Sequence, residues 1–224
     1  MLNVKSISKS YGKTKIINNI TFSVNKGEII GLVGENGAGK STLLQILATL
    51  LKPDEGQVEL EQFSYQRNQK KVRKHIGFVP QDIVIWENFT VEENMLFFEK
   101  LSWKKKSNDE LRQLCLEMNL DKWNEPVKTL SGGMKRKLNL AISLIHDPTL
   151  LLLDEPTVGI DLKSRKEIGA YLRKQANESE KMIIYISHDM DEITSLCDRV
   201  LCIGNDPFYK KILEKTNKEL LSFQ

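Results

Sequence analysis

A glycine-rich segment follows the first strongly apolar stretch of the chain. It fits the phosphate-loop pattern GxxxxGK followed by Ser or Thr. Its residues are Gly34, Glu35, Asn36, Gly37, Ala38, Gly39, Lys40, Ser41 and Thr42. Glycines let backbone N–H groups approach phosphate oxygens, and the N-terminus of a following helix adds partial positive charge. Lys40 would then reach the β and γ phosphates, and the Ser41 hydroxyl would bind Mg²⁺. A chance glycine turn gives this pattern in roughly one chain per hundred.

Two carboxylates, Asp154 and Glu155, stand directly after another apolar stretch at residues 150–153. That stretch is typical of a buried strand, which would deliver both carboxylates beside the phosphate loop. Asp154 would hold magnesium through water. Glu155 would be the general base for the attacking water, because hydrolysis of a phosphoanhydride needs an oriented nucleophile as well as charge neutralisation. Acidic pairs also occur as simple strand caps, so the functional interpretation of Asp154 and Glu155 depends on the presence of the phosphate loop.

Short apolar segments must position these groups. Residues 29–33, 75–79 and 182–187 indicate further buried strands, each rich in Ile, Val or Leu and bounded by Gly, Pro or a charge. Helical stretches separate them, and residues 40–51 predict one helix directly after the phosphate loop. This alternation is typical of an α/β protein with a largely parallel sheet, in which ligands bind beyond the strand ends.

Residues 88–148 show helical patterns without a convincing strand. Thr90 with Glu93, and Ser107 with Glu110, are capping boxes that open two predicted helices, over 91–101 and to about residue 119. Apolar residues at helical spacing predict a third helix from residue 131 to Pro148. We therefore expect one domain over 1–224, with a helical subdomain at 88–148 inserted in a catalytic core of 1–87 and 149–224.

Composition excludes several classes of protein. The chain has 224 residues, a net charge of +3, 28% charged residues and 40% apolar residues, which is typical of a globular protein and excludes disordered or collagen-like chains. No apolar run reaches the 18 residues of a membrane helix, and no secretory signal is evident, so we expect a cytosolic protein. Cys115, Cys197 and Cys202 lack any CxxC pair, which argues for buried thiols rather than disulfides or zinc ligands.

Residues 130–134, the signature segment, read Leu-Ser-Gly-Gly-Met. Ser131, Gly132 and Gly133 would form an anion site at a helix N-terminus, although alone they fit a plain helix N-cap equally well. With the phosphate loop and the two carboxylates, the segment resembles the nucleotide-binding subunit of an ATP-binding cassette (ABC) transporter. The resemblance implies that this segment faces the γ-phosphate held by another subunit, so that two ATP molecules are sandwiched in a dimer, homodimeric or heterodimeric. It also implies a P-loop NTPase (RecA-like) core with a mixed, largely parallel sheet and an N-terminal antiparallel β region.

Four further residues resemble family elements in their expected order. Tyr11 resembles the aromatic residue that stacks on adenine, and Gln81 the glutamine that contacts magnesium and senses the membrane partner. Asp161 resembles the residue of a loop that crosses the dimer interface, and His188 the histidine that contacts the γ-phosphate. Each has an ordinary alternative: Tyr11 as a partly buried tyrosine, Gln81 as a loop residue, Asp161 as a helix cap, and His188 as a core or surface residue.

The signature segment departs from the pattern of many importers. Met134 stands where they have glutamine, and residues 157–161 replace the commoner Ser-Ala-Leu-Asp type of loop. Both features resemble the drug, antibiotic and polysaccharide export group of daunorubicin-resistance type. The family's usual strand hairpin after His188 is cut short at residues 204–207, and an amphipathic tail is expected over residues 209–221.

The sequence is consistent with two functions. The first is an ATP- and Mg²⁺-dependent ATPase that docks on a separate integral membrane permease, at the inner face of the membrane, and drives export. Docking is expected near residues 81–89, where Trp86 and Phe89 would suit a helix-in-groove contact. The second is a non-transport ATPase acting on nucleic acid or the ribosome, which the basic clusters at 70–74, 104–106 and 135–137 support weakly. Because no aromatic residues interleave with these clusters, no nucleic-acid partner is expected.

Overall fold

The computed structural model describes residues 1–204, 207–213 and 219–223. The strands in these ranges are β1 (Leu2–Tyr11), β2 (Thr14–Val24), β3 (Ile29–Val33), β4 (Glu55–Leu60), β5 (Phe63–Ser64), β6 (Ile76–Val79), β7 (Leu150–Asp154), β8 (Met182–Ile186), β9 (Arg199–Ile203) and β10 (Glu219–Phe223). The helices are α1 (Lys40–Leu47), α2 (Tyr65–Arg73), α3 (Val91–Leu101), α4 (Asn108–Leu116), α5 (Gly132–Ser143), α6 (Leu162–Ser179), α7 (Met190–Leu196) and α8 (Pro207–Leu213). This alternation confirms the predicted α/β class.

A six-stranded sheet in the order β10-β9-β3-β8-β7-β6 forms the centre of the fold. Every described pairing in it is parallel, rather than mixed as predicted. All residues of β3, β7 and β8 are buried, which explains their unbroken apolar sequences. Because the strands are parallel, the segments that follow β3, β6, β7 and β8 all emerge at one edge of the sheet.

The predicted N-terminal antiparallel region is confirmed as a four-stranded sheet in the order β2-β1-β4-β5. A core of buried apolar side chains fills the space between this sheet, α1 and one face of the parallel sheet. Helix α1 stops at Leu47, short of the predicted residue 51, because Thr49 has a left-handed backbone with φ of 61°.

Helices α3, α4 and α5 lie between β6 and β7, as the sequence predicted. Both capping boxes are confirmed: the Thr90 hydroxyl accepts from the Glu93 N–H at 3.1 Å, and the Ser107 hydroxyl accepts from the Glu110 N–H at 3.3 Å. Helix α5 ends before Pro148. The apolar faces of these helices share one continuous core with the second face of the parallel sheet. That core contains all three cysteines as buried free thiols, as predicted. The division into core and subdomain therefore stays a prediction.

The chain after β9 forms α8 and then β10, which pairs in parallel with β9 from residue 219 to 223. The tail predicted over 209–221 thus begins in a helix and ends in an edge strand, whereas residues 214–218 lie outside the described residues. Leu221 packs against the core between the two sheets. Residues 205 and 206, within the 204–207 segment where the family's strand hairpin was expected to be cut short, also lie outside the described residues.

Candidate active site

The phosphate loop connects β3 to α1 and depends on two close backbone approaches. Gly39, the N-cap of α1, has φ of 101°, and a Cβ there would lie 3.1 Å from the Ile16 carbonyl oxygen. At Gly34, with φ of 148°, a Cβ would lie only 2.1 Å from the Ile203 carbonyl oxygen. Glycine is favoured at both positions, at Gly34 because a Cβ would overlap a backbone oxygen and at Gly39 because other residues rarely adopt its positive φ.

Lys40 opens α1, and its side chain turns back over the loop. Its Nζ donates to the carbonyl oxygens of Gly34 at 2.8 Å and Glu35 at 2.9 Å. Burial lowers the pKa of the ammonium, and the charges of Glu155, Asp154 and Glu35 oppose that shift. The ammonium is therefore held by two neutral carbonyls at the loop that would carry the phosphates.

Asp154, the last residue of β7, accepts a hydrogen bond from the Ser41 side chain. Burial is the largest cause of its raised pKa. Among the described residues no group of three His, Cys, Asp or Glu side chains could hold a metal. A hydroxyl and one carboxylate leave most ligand positions to phosphate oxygens and water, which is the donor set that Mg²⁺ prefers. The residues present therefore fit the predicted Mg²⁺.

The Glu155 side chain contacts the loop that contains Gln81 and the loop that contains His188. Its Oε2 accepts from Gln81 Nε2 at 3.1 Å, and its Oε1 lies 2.8 Å from His188 Nε2. The backbone at Glu155 has φ of 48°, and its N–H donates to the Ile186 carbonyl at 3.1 Å. The side chain is 12% exposed. These contacts hold the carboxylate in one place, directly after the carboxyl end of strand β7.

One cleft of about 470 Å³ brings most of the predicted residues together. Its lining consists of Tyr11, Ile16, Asn36, Gly37, Gly39, Lys40, Ser41, Thr42, Gln81, Glu155 and His188. Tyr11 is 51% exposed at the end of β1, so its ring is available to a ligand rather than packed in the core. The cleft therefore offers an exposed aromatic ring, a loop of N–H donors, a cation and an oriented carboxylate.

The signature segment lies elsewhere. Ser131 is the N-cap of α5, and its hydroxyl accepts from the Met134 N–H at 3.3 Å. A Cβ on Gly133 would lie 2.2 Å from Ser164 Oγ, so the helix start packs tightly against the start of α6. There Asp161 caps α6 by accepting from the Ser164 N–H at 2.9 Å. This is the helix-capping role that the sequence analysis gave as the alternative for Asp161. Ser131, Gly132, Gly133 and Asp161 do not line the described cleft.

The sequence did not predict a contact between helix α5 and the loop that contains Gln81. Arg136 Nη1 donates to the Gln81 carbonyl oxygen at 2.5 Å. Burial lowers the pKa of Arg136, against the charges of Asp82 and Glu155. Within the basic cluster at 135–137, Lys135 pairs with Glu87 and Lys137 with Glu167, whereas Arg136 binds the neutral Gln81 carbonyl. The charges in the sequence alone could not predict these contacts, because three consecutive basic residues are equally typical of a free cationic surface.

Fold and cleft together define a P-loop nucleotide-binding cassette, and comparisons with known proteins agree. The family described as "ABC transporter" matches residues 17–158. Linearmycin resistance ATP-binding protein LnrL of Bacillus subtilis is 39% identical over 206 residues, which are 89% of this chain and 65% of that protein. Nod factor export ATP-binding protein I of Ralstonia nicotianae is 35% identical over all of this chain and 70% of its own length.

Solved structures give the same result. The dimeric structure of a bacterial ABC transporter cassette is 25% identical, with a TM-score of 0.80 over 91% of this chain and 94% of its own. A dimeric post-hydrolysis state of an ATP-binding cassette, bound to ADP and Pi, is 27% identical with a TM-score of 0.79 over the same shares. The chain belongs to the ABC transporter family, which confirms the resemblance seen in its sequence. It spans just under two thirds of the length of LnrL.

Proposed function

We propose that this chain is the ATP-binding and ATP-hydrolysing subunit of an export system. The observation that carries the proposal is the Glu155 carboxylate, held between Gln81 at 3.1 Å and His188 at 2.8 Å in the cleft that also contains Lys40. A fixed, partly dehydrated carboxylate beside a phosphate loop can orient and deprotonate one water molecule. Most of the catalysis of phosphoryl transfer is such positioning, together with charge stabilisation.

The roles of the cleft residues follow from their places. Tyr11 stacks on the adenine, and the loop from Gly34 to Thr42 binds the phosphates through its N–H groups. Lys40 leaves the two loop carbonyls for the terminal phosphates. Glu155 takes the proton of the attacking water, while His188 Nε2 contacts the γ-phosphate oxygens as they gain charge.

Ser41, Gln81 and Asp154 would hold Mg²⁺, which supplies charge neutralisation at the β and γ phosphates when bound. A hydrogen bond from the Ser41 side chain lowers the pKa of Asp154, so these two side chains lie close together beside the phosphate loop. Gln81 uses its Nε2 for Glu155, which leaves its Oε1 as the acceptor side of the amide.

Dimerisation is supported by where the signature segment lies. Ser131 and Gly133 form an N-terminal helix site that does not line the described cleft of its own chain. A second chain placed head to tail brings this site to the γ-phosphate in the first chain, and Asp161 then lies at the interface beside it. The two related solved structures are dimeric cassettes. Identical or paralogous second chains satisfy the same geometry.

A membrane permease is the proposed partner, with the chain on the cytoplasmic face. None of the described helices is long and apolar enough to span a bilayer. Three aromatic side chains form an exposed patch next to the Gln81 loop: Trp86 (51% exposed) lies 6.0 Å from Phe89 and 5.9 Å from Phe97 between ring centroids. An amphipathic helix of the permease would seat on this patch.

Export is supported by the names of the relatives, a linearmycin resistance protein and Nod factor export proteins. Action on nucleic acid is less well supported, because the 135–137 cluster is engaged with Glu87, Glu167 and the Gln81 carbonyl. Lysines that are already paired with carboxylates release few counterions from a phosphate backbone.

The proposal is tested by phosphate release from ATP and Mg²⁺ by the purified chain, alone and co-expressed with a candidate permease from the same organism. We expect turnover that stops when Mg²⁺ is chelated and co-purification of the two proteins. A matched control is Glu178→Gln, which changes an exposed carboxylate far from the cleft. An absence of phosphate release in both samples would contradict the proposed activity, and a chain that binds no membrane protein would contradict the proposed partner.

A further inference from the structure

One partly buried carboxylate outside the cleft contacts four polar side chains. Glu192 lies in the first turn of α7, and its side chain is 11% exposed. Its Oε2 accepts from Ser187 Oγ at 2.7 Å, Thr157 Oγ1 at 2.9 Å and the Tyr185 hydroxyl at 3.2 Å. Its Oε1 lies 3.2 Å from Arg165 Nε. A carboxylate can accept from all three hydroxyls at once, because it carries no hydrogen of its own, and its charge also pairs with Arg165.

Each donor belongs to a segment that carries a cleft residue or an interface residue. Thr157 comes two residues after Glu155, and Ser187 comes directly before His188. Arg165 lies in the first turn of α6, the helix that Asp161 caps. Glu192 therefore ties together the loop after β7, the loop after β8 and the start of α6.

The hydroxyls around Glu192 are shielded from solvent. Thr157 and Ser187 are 3% and 4% exposed. Ser187 Oγ also accepts from the Asp189 N–H at 3.0 Å, and Asp189 pairs with Arg165. Other bonds in the loop after β7 join the Glu155 N–H to the Ile186 carbonyl oxygen at 3.1 Å, the Val158 N–H to the Glu155 carbonyl oxygen at 3.3 Å, and the Thr157 and Tyr185 hydroxyls at 3.0 Å.

We propose that Glu192 is a positioning residue for ATP hydrolysis: by fixing Thr157 and Ser187 it sets the 2.8 Å contact between Glu155 and His188. Through Arg165 the same carboxylate links that pair to the Asp161 end of α6, which faces the second chain. The inference rests on the proposed ATPase function. Small displacements of an oriented base are costly, since an error of about 1 Å can lower a rate by on the order of 100-fold.

The test is steady-state ATP hydrolysis by Glu192→Gln, with Glu178→Gln as the matched control. The amide keeps the volume but places an NH₂ group against donors. We expect kcat to fall by about 10-fold, with the KM for ATP within about twofold of the parent, because the phosphate loop is untouched. The control should match the parent in both constants.

A paired substitution separates positioning from packing and serves if Glu192→Gln folds poorly. Thr157→Val keeps the shape but removes the hydroxyl, whereas Thr157→Ser keeps the hydroxyl and removes a methyl group. We expect about a fivefold loss of kcat for Val and near-parent kcat for Ser. A larger loss of kcat for Thr157→Ser than for Thr157→Val, or a Glu192→Gln enzyme with parental kcat, would overturn the inference. A parent chain without turnover would instead overturn the proposed function.

Discussion

Replacing Glu155 with Gln is the substitution that tests both the base and the dimer. The amide has the shape of the carboxylate and keeps an oxygen for Gln81 Nε2 at the 3.1 Å contact, but it cannot take a proton from water. Loss of a general base slows the chemical step by on the order of 100-fold, which corresponds to about 2.7 kcal/mol of activation free energy.

The charge of Glu155 also matters for ATP retention. Among the charges that raise the pKa of Lys40, Glu155 is the largest contributor. Removing it makes the cleft more positive where the phosphates bind, so ATP should be held more tightly. If ATP joins two chains through Ser131 and Gly133, slower hydrolysis and tighter retention should lengthen the lifetime of the dimer by at least the same 100-fold.

Size-exclusion chromatography with light scattering measures this directly. Glu155→Gln should elute at twice the monomer mass with ATP and at the monomer mass with ADP, whereas the parent should be mainly monomeric with both. Adding Ser131→Arg should dissolve the ATP dimer, because the larger side chain occupies the place of the phosphate. Turnover within threefold of the parent would refute the base assignment, and a monomer at saturating ATP would refute the sandwich of identical chains.

Three further results are expected. Lys40→Ala should abolish phosphate release, because it removes the cation held at the loop by two carbonyls; turnover equal to that of the parent would exclude this loop as the ATP site. Trp86→Ala, which removes an exposed ring, should lower co-purification with the permease and leave basal ATPase unchanged; lost ATPase with unchanged pull-down would contradict docking there. Asp147→Asn should lower the free energy of unfolding by about 1 kcal/mol at pH 7, since the Lys181 hydrogen bond holds the pKa of this half-exposed carboxyl at about 2, below its usual 3.8. That contribution is present above pH 4 and is lost as the pH falls through about 2, so urea titrations of Asp147→Asn and the parent should converge in acid and a constant difference would contradict the assignment.

Local sequence determined the elements that carry the site. The predicted strand at 29–33 and the helix at 91–101 have the bounds seen in the structure, because an unbroken apolar run and a capping box are decided by neighbours in the chain. The phosphate loop, the two carboxylates after β7 and the histidine after β8 were found for the same reason. Parallel strands then place their following segments at one edge, so the meeting of Lys40, Glu155 and His188 in one cleft also followed from sequence order.

Contacts between distant segments were decided only by the tertiary structure. Nothing in a linear reading shows that Glu192 would receive hydroxyls from Thr157 and Ser187, or that Arg136 would bond to the Gln81 carbonyl. The pairing of β10 with β9 was missed as well, since an edge strand of five residues has little pattern of its own and depends on the sheet beside it. Such contacts require the register and packing of whole elements, and these are fixed by the free energy of the folded chain rather than by any short segment of it.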